Sequence, residues 1–314
     1  MLRNHTQWDS TQHPRPDERD LTIAICPRRR MLPLALAILL PILATACATG
    51  SQDSAAKPPA LQHIHQLSFT EPEQLLIGSH DGVYATGMQP GTLTLLGDVA
   101  FDAMGMTAQG STLYVSGHPG TDNHDAFAGP NIGLVRHTPE TGWEALSLSG
   151  STDFHILQST PADPNVLIGV PSDNQVLLRS TDGGNTWIEG SPLKARDLSI
   201  DSEDPTLLTA TTAEGVLVSH DAGTTFEVLA DAPALVLIAA DPTRAGGLVG
   251  IDQQGALWLG STEPNASWTP TGTVTGAAAA LTVNSNGVIA VADDSGVATT
   301  NDGGKSWTIL VPAS

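Results

Sequence analysis

Ser180-Thr-Asp-Gly-Gly-Asn-Thr-Trp187 decides the reading of this chain, because the chain says it again. Ser219-His-Asp-Ala-Gly-Thr-Thr-Phe226 keeps the pattern S-x-D-x-G-x-[ST]-aromatic. Thr300-Asn-Asp-Gly-Gly-Lys-Ser-Trp307 changes only the first Ser, and Ser261-Thr-Glu-Pro-Asn-Ala-Ser-Trp268 is a worn copy. The closing aromatics lie 39, 42 and 39 residues apart. A fixed period of this size marks a repeat architecture. Each copy sits between two short apolar runs, so it reads as a hairpin turn. The Asp accepts backbone N–H bonds, as Asx turns do. The Gly supplies a positive φ that a side chain resists, and the aromatic ring packs beneath the turn.

The motif resembles the Asp box, or BNR repeat, of sialidase-like β-propellers. In that family the box is a structural turn. The resemblance therefore implies that Asp182, Asp221 and Asp302 hold turns and do no chemistry.

Working outward from the boxes, each repeat shows four short apolar runs in one order, and six such units fit between residues 61 and 314. The expected fold is all-β: a sialidase-like six-bladed β-propeller of four-stranded antiparallel blades. Seven blades would leave about 36 residues each, below the usual repeat of about 40–45. No strand is borrowed between the chain ends, so packing of blade six on blade one should close the ring.

Residues 1–46 read as a signal peptide of lipoprotein type. Arg28-Arg-Arg30 is its basic part, Met31 to Leu43 its apolar part, and Ala44-Thr-Ala46 its small-residue cleavage site. Cys47 then stands where a bacterial lipobox places its lipidated cysteine, although Ala44 replaces the usual Leu. Residues 47–60 read as a flexible tether. The expected location is extracytoplasmic, with the membrane as a partner through the lipid anchor.

The chain has 314 residues and a net charge of −20. Six Arg and four acidic residues fall in the first 46, leaving 7 basic against 29 acidic residues beyond them. Such a surface repels phosphate backbones, which excludes nucleic acid as a partner. The protein is expected to be a monomer. It contains no P-loop, dinucleotide fingerprint, nucleophile elbow or HExxH zinc motif.

The histidines carry the functional expectation. His63 and His65 lie at the start of the first strand of blade one, and His155 at that of blade three. His80 and His118 follow the second strands of blades one and two. Topology sends all five to one end of the propeller and the boxes to the other. On a regular strand His63 and His65 point the same way, about 7 Å apart, where two imidazoles can chelate Zn²⁺ or a similar divalent metal. His118 also opens a polar insertion carrying Asp122, His124 and Asp125, a candidate lid. The histidines otherwise line a wet polar channel or serve as acids and bases. Asp102 and Asp153 stand at the entries to blades two and three, and Asp197 aligns with His65 and His155 in blade four. These three are the carboxylates available for glycoside hydrolysis, which needs a pair about 5–9.5 Å apart.

The strings His63-Ile-His-Gln-Leu67, Ser79-His-Asp-Gly-Val-Tyr84, Ser116-Gly-His-Pro119 and Asp153-Phe-His155 resemble those of bacterial Asp-box lipoproteins described as sialidase-like or glycosyl-hydrolase-like. That resemblance covers the domain from about residue 61 to 314, and its names imply glycan hydrolysis by analogy. A sialidase needs three arginines, a Tyr nucleophile with a Glu, and an Asp acid. The arginines past residue 60 are 136, 179, 196 and 244, the only tyrosines are Tyr84 and Tyr114, and the set cannot be assembled. The expectation is a binding protein that takes a ligand, glycan or metal at its histidine face. A non-sialidase glycoside hydrolase and an extracytoplasmic assembly factor are the alternatives.

Overall fold

The computed structural model describes residues 61–313, apart from 62, 72, 92, 121–126, 128 and 264. The signal segment, Cys47, the tether and the insertion residues Asp122, His124 and Asp125 lie outside the described residues. No described helix is long and apolar enough to cross a membrane.

Among the described residues, twenty-four strands form six four-stranded antiparallel sheets, each built from four consecutive strands. Blade one holds β1 (Ile64–Glu71), β2 (Gln74–Ser79), β3 (Gly82–Gly87) and β4 (Thr94–Leu95). Blade two holds β5 (Asp102–Gln109), β6 (Thr112–His118), β7 (Leu134–Thr138) and β8 (Gly142–Ser147). Blade three holds β9 (Phe154–Thr160), β10 (Asp163–Pro171), β11 (Val176–Ser180) and β12 (Ile188–Pro192). Blade four holds β13 (Ala195–Ile200), β14 (Leu208–Thr212), β15 (Gly215–Ser219) and β16 (Glu227–Val228). Blade five holds β17 (Leu235–Ala240), β18 (Gly247–Asp252), β19 (Ala256–Ser261) and β20 (Thr269–Thr273). Blade six holds β21 (Ala280–Val283), β22 (Ile289–Asp293), β23 (Gly296–Thr300) and β24 (Thr308–Pro312). This is the expected six-bladed propeller. Inner strands neighbour one another around the ring, and β1 meets β21. Leu67, Leu75 and Ile77 of blade one share an apolar cluster with Ala290, Ala292 and Val311 of blade six, which closes the ring by packing alone.

The repeated turns do more than reverse the chain. Asp182 accepts the Thr186 N–H at 2.8 Å, its hydroxyl at 2.7 Å and the Ser180 hydroxyl at 2.9 Å. Asp221 and Asp302 repeat this pattern with Thr225 and Ser306. Gly184 has φ +87°, and a Cβ there would overlap Leu134 Cδ2 of the preceding blade. Ser147 of that blade donates to the Gly184 carbonyl and accepts the Trp187 indole N–H. Each turn is thus a fastener between blades. The worn copy keeps the Ser261 hydroxyl bond to the Glu263 N–H and a positive φ at Asn265.

Five inner strands carry a β-bulge near their entry, recorded as a register shift against the second strand. The extra residues are His65, Met104, His155, Arg196 and Val236. A bulge breaks strand alternation and re-aims one side chain. These five therefore form an arc of equivalent positions at the end of the axis opposite the repeated turns.

Candidate metal centre at the histidine end

Two groups of ligand atoms assemble at this end. His65, His80 and Asp102 form one; His118, Asp153 and His155 form the other. Within each, all three ligand atoms lie within 4.8 Å of one another. Both span blade junctions by one rule. The residue just past the second-strand partner of the bulge is His80 in blade one and His118 in blade two. Each reaches the carboxylate at the entry of the next blade, Asp102 or Asp153.

The distances repeat as well. His80 Nδ1 lies 2.8 Å from Asp102 Oδ1, and His65 Nε2 lies 3.6 Å from the same oxygen. His155 Nε2 lies 2.7 Å from Asp153 Oδ2, and His118 Nε2 lies 3.3 Å from it. Ligand atoms about 2.0–2.1 Å from a tetrahedral Zn²⁺ stand about 3.3–3.4 Å apart. The longer distance of each pair already has that span. The shorter ones would have to open by about 0.5 Å to take an ion of that geometry.

Four buried side-chain polar atoms lack a hydrogen bond of good geometry among the described residues. Three belong here: His65 Nε2, Asp102 Oδ1 and Asp153 Oδ1; the fourth is Arg179 Nε. Native folds leave few such atoms, and each calls for a reason. His118 turns its Nδ1 toward the Pro130 carbonyl at 3.3 Å, and since a carbonyl can only accept, a proton on Nδ1 satisfies that contact. Its Nε2 lies 3.3 Å from Asp153 Oδ2, where either a proton on that nitrogen or a metal ion between the two atoms joins them. A backbone carbonyl on the far nitrogen is also the usual way a metal-binding imidazole is oriented.

Burial pushes the His65 imidazole below its ordinary value, and the Asp102 charge opposes this without overcoming it. His155 moves the other way, held up by its hydrogen bond to Asp153. Burial works to raise Asp153, but the His155 hydrogen bond, the His155 and His118 charges and the Ser172 hydroxyl hold its carboxyl below the usual range. The groups are close enough to sense each other. His155 lowers His65, and Asp102 raises His155.

The structure places the expected residues unevenly. It brings together His65, His80, His118, His155, Asp102 and Asp153. His63 is not strand-paired with His65. It precedes β1 at φ +46° and stacks edge-on against His80 with centroids 5.1 Å apart. Strand alternation fails because His65 is itself the bulge. Asp197 does not align with His65 and His155, since Arg196 takes that position. Asp197 is buried instead, accepting the Leu198 and Ile238 N–H groups at 2.9 Å each and tying blade four to blade five. Burial pushes its carboxyl up to about 7, against the pull of those two bonds. Tyr84 and Tyr114 are packed inside blades, Arg136 is paired with Glu144 and Arg244 with Asp241. A cavity of about 290 Å³ opens at the other end of the axis, lined by residues such as Phe69, Gln109, Gln158 and Ile200 and by no charged side chain. It lies away from the histidines.

The chain matches no protein-family model and no curated protein. Solved structures do match. The WD40 β-propeller domain of Doa1 aligns with a TM-score of 0.51 at 12% identity, over 80% of this chain and 85% of that one. The Neurospora crassa Pan2 WD40 domain aligns at 0.50 and 12%, over 78% and 91%. A structure of YCF48 bound to D1 peptide aligns at 0.49 and 16%, over 80% and 82%. At such identities the likeness concerns the fold alone.

Proposed function

We propose that this chain is an extracytoplasmic, lipid-anchored β-propeller that binds divalent transition-metal ions at the histidine end of its axis. The observation that carries this reading is the assembly of two His–His–Asp groups, His65–His80–Asp102 and His118–Asp153–His155, each with its three ligand atoms within 4.8 Å of one another. Imidazole and carboxylate are the donor set that Zn²⁺ and its neighbours take. Three protein ligands leave a fourth position open, where water, a small anion or a glycan hydroxyl reaches the ion. A binding role is preferred to glycoside hydrolysis because both carboxylates at this end are engaged by histidines and Asp197 is tied to backbone.

The test is metal analysis of the purified protein after exposure to Zn²⁺ and desalting, with titration calorimetry for stoichiometry. Two ions per chain are expected, one fewer in His80→Ala or His155→Ala, and none in the double variant. A wild type that retains no ion, or a double variant that retains as much as wild type, overturns the reading.

A further inference from the structure

We propose that Met104 is a further metal ligand at this end and that its thioether gives the site a preference for copper(I). The inference rests on the metal-binding reading above and names the metal class. Met104 is the bulge residue of β5, in the position that His65 holds on β1 and His155 on β9. Blade two lies between blades one and three, so Met104 stands between the two histidines in the arc. The entry of its strand links the two groups. Asp102 of the first is the cross-strand partner of His118 of the second.

A methionine normally fills a core gap. Met106, two residues on, does so and is 1% exposed in the apolar cluster between blades one and two. Met104 is half-buried and belongs to none of the six apolar clusters. Val236, at the same bulge in blade five, packs against a cluster. Among the described residues Met104 thus shares the strand position of two of the histidines and joins no apolar cluster. Thioether sulfur is a soft donor that selects Cu(I), whereas zinc is served by imidazole and carboxylate. An imidazole–thioether set between His65 and His155 favours Cu(I), while the two His–His–Asp groups hold Zn²⁺ without Met104.

The test compares full-length wild type with Met104→Leu, a swap that conserves volume and fold. Cu(I) affinity is read by competition with a bathocuproine chelator under anaerobic reducing conditions, and Zn²⁺ affinity by a chromophoric zinc chelator. Met104→Leu should weaken Cu(I) by about tenfold or more and leave Zn²⁺ within about twofold, since the lost donor is a soft one. X-ray absorption at the copper edge should lose a sulfur scatterer in the same variant. Unchanged Cu(I) affinity, or equal losses of both metals, overturns the assignment of Met104 while metal binding itself stands. A wild type that binds neither Cu(I) nor Zn²⁺ overturns both.

Discussion

Replacing Gly184 by Ala tests whether the repeated turns fasten blade to blade, and Gly183→Ala is its internal control. Both glycines sit at positive φ, +69° for Gly183 and +87° for Gly184. An L side chain costs about 1–2 kcal/mol in the left-handed region, so both variants lose that much. They differ in what the new methyl meets. At Gly183 only the Tyr114 hydroxyl is near, at 3.7 Å, an ordinary contact. At Gly184 it would overlap Leu134 Cδ2 and press on Leu167 Cδ1 at 3.1 Å and Leu146 Cδ2 at 3.2 Å. Leu134 and Leu167 are fully buried, so neither side can give freely. Overpacking of this kind costs about 1–3 kcal/mol more. Gly184→Ala should therefore fall below Gly183→Ala by about 1–3 kcal/mol, or about 2–12 °C in Tm at the usual slope for a domain of this size. Urea unfolding followed by tryptophan fluorescence and far-UV circular dichroism measures the gap, with unchanged slopes showing that stability alone moved. Equal losses in the two variants would refute the fastener and leave the glycines as turn formers only.

Three further outcomes follow from the titrating groups and the leader. Asp182, Asp221 and Asp302 have carboxyls held below the ordinary range, first by bonds from Thr186, Thr225 and Ser306 respectively. Depressed folded values mean that their contribution is present above the unfolded value and is lost as pH falls through the folded one. Asp302→Asn should therefore narrow the stability gap to wild type in an acid titration, and a gap constant with pH would contradict this. Asp197 has the opposite sign. Its folded value is raised to about 7, so its ionisation costs nothing below about 4 and the cost grows between there and about 7, reaching about 4 kcal/mol. Asp197→Asn should be destabilising at pH 4 through a lost acceptor, and its deficit should shrink by pH 7.5; a widening deficit would sink the assignment. Cys47→Ser, expressed where lipoproteins are processed, should leave the membrane fraction, and equal retention with wild type would remove the anchor.

The fold was legible because its unit is local. Four runs and a turn recur about every forty residues, and each blade is made of consecutive strands. The histidine end was legible as an end, since strand direction alone sends His80, His118 and the first-strand entries to the same side. Its pairings were not. His80 meets Asp102 across a blade junction, a relation that appears in no spacing. The bulges hid the rest. One extra residue in β1 removes the alternation that made His63 and His65 look like a chelate, and one in β13 moves Arg196 into the place assigned to Asp197. The signal was present in the strings His65-Gln-Leu67, Met104-Gly-Met106 and His155-Ile-Leu157, but only the register of the second strand shows which residue is surplus.

The two ends of the propeller treat their polar groups differently, and that contrast is the strongest argument about function. At the turn end, Asp182, Asp221 and Asp302 each accept several bonds from their own turn, and Ser147 and Ser191 consume the carbonyls of the next one. Among the described residues, Arg179 Nε beside the first turn is the one buried side-chain polar atom there that lacks a hydrogen bond of good geometry. At the histidine end, His65 Nε2, Asp102 Oδ1 and Asp153 Oδ1 have no hydrogen bond of good geometry, although Asp102 Oδ1 has His80 Nδ1 at 2.8 Å. A buried polar atom left wholly unpaired costs about 1–3 kcal/mol, against a net stability of about 5–15 kcal/mol for a typical domain. On the metal-binding proposal, a proton at low pH or a metal ion at neutral pH would relieve this deficit. The net charge of −20 adds a field that draws cations to the protein before any coordinate bond forms. Added Zn²⁺ at pH 7.5 should thus raise the unfolding temperature by relieving the histidine end alone, and by the same amount in Gly184→Ala as in wild type. A stabilisation that depended on the state of the turns would mean that the two ends are not separate.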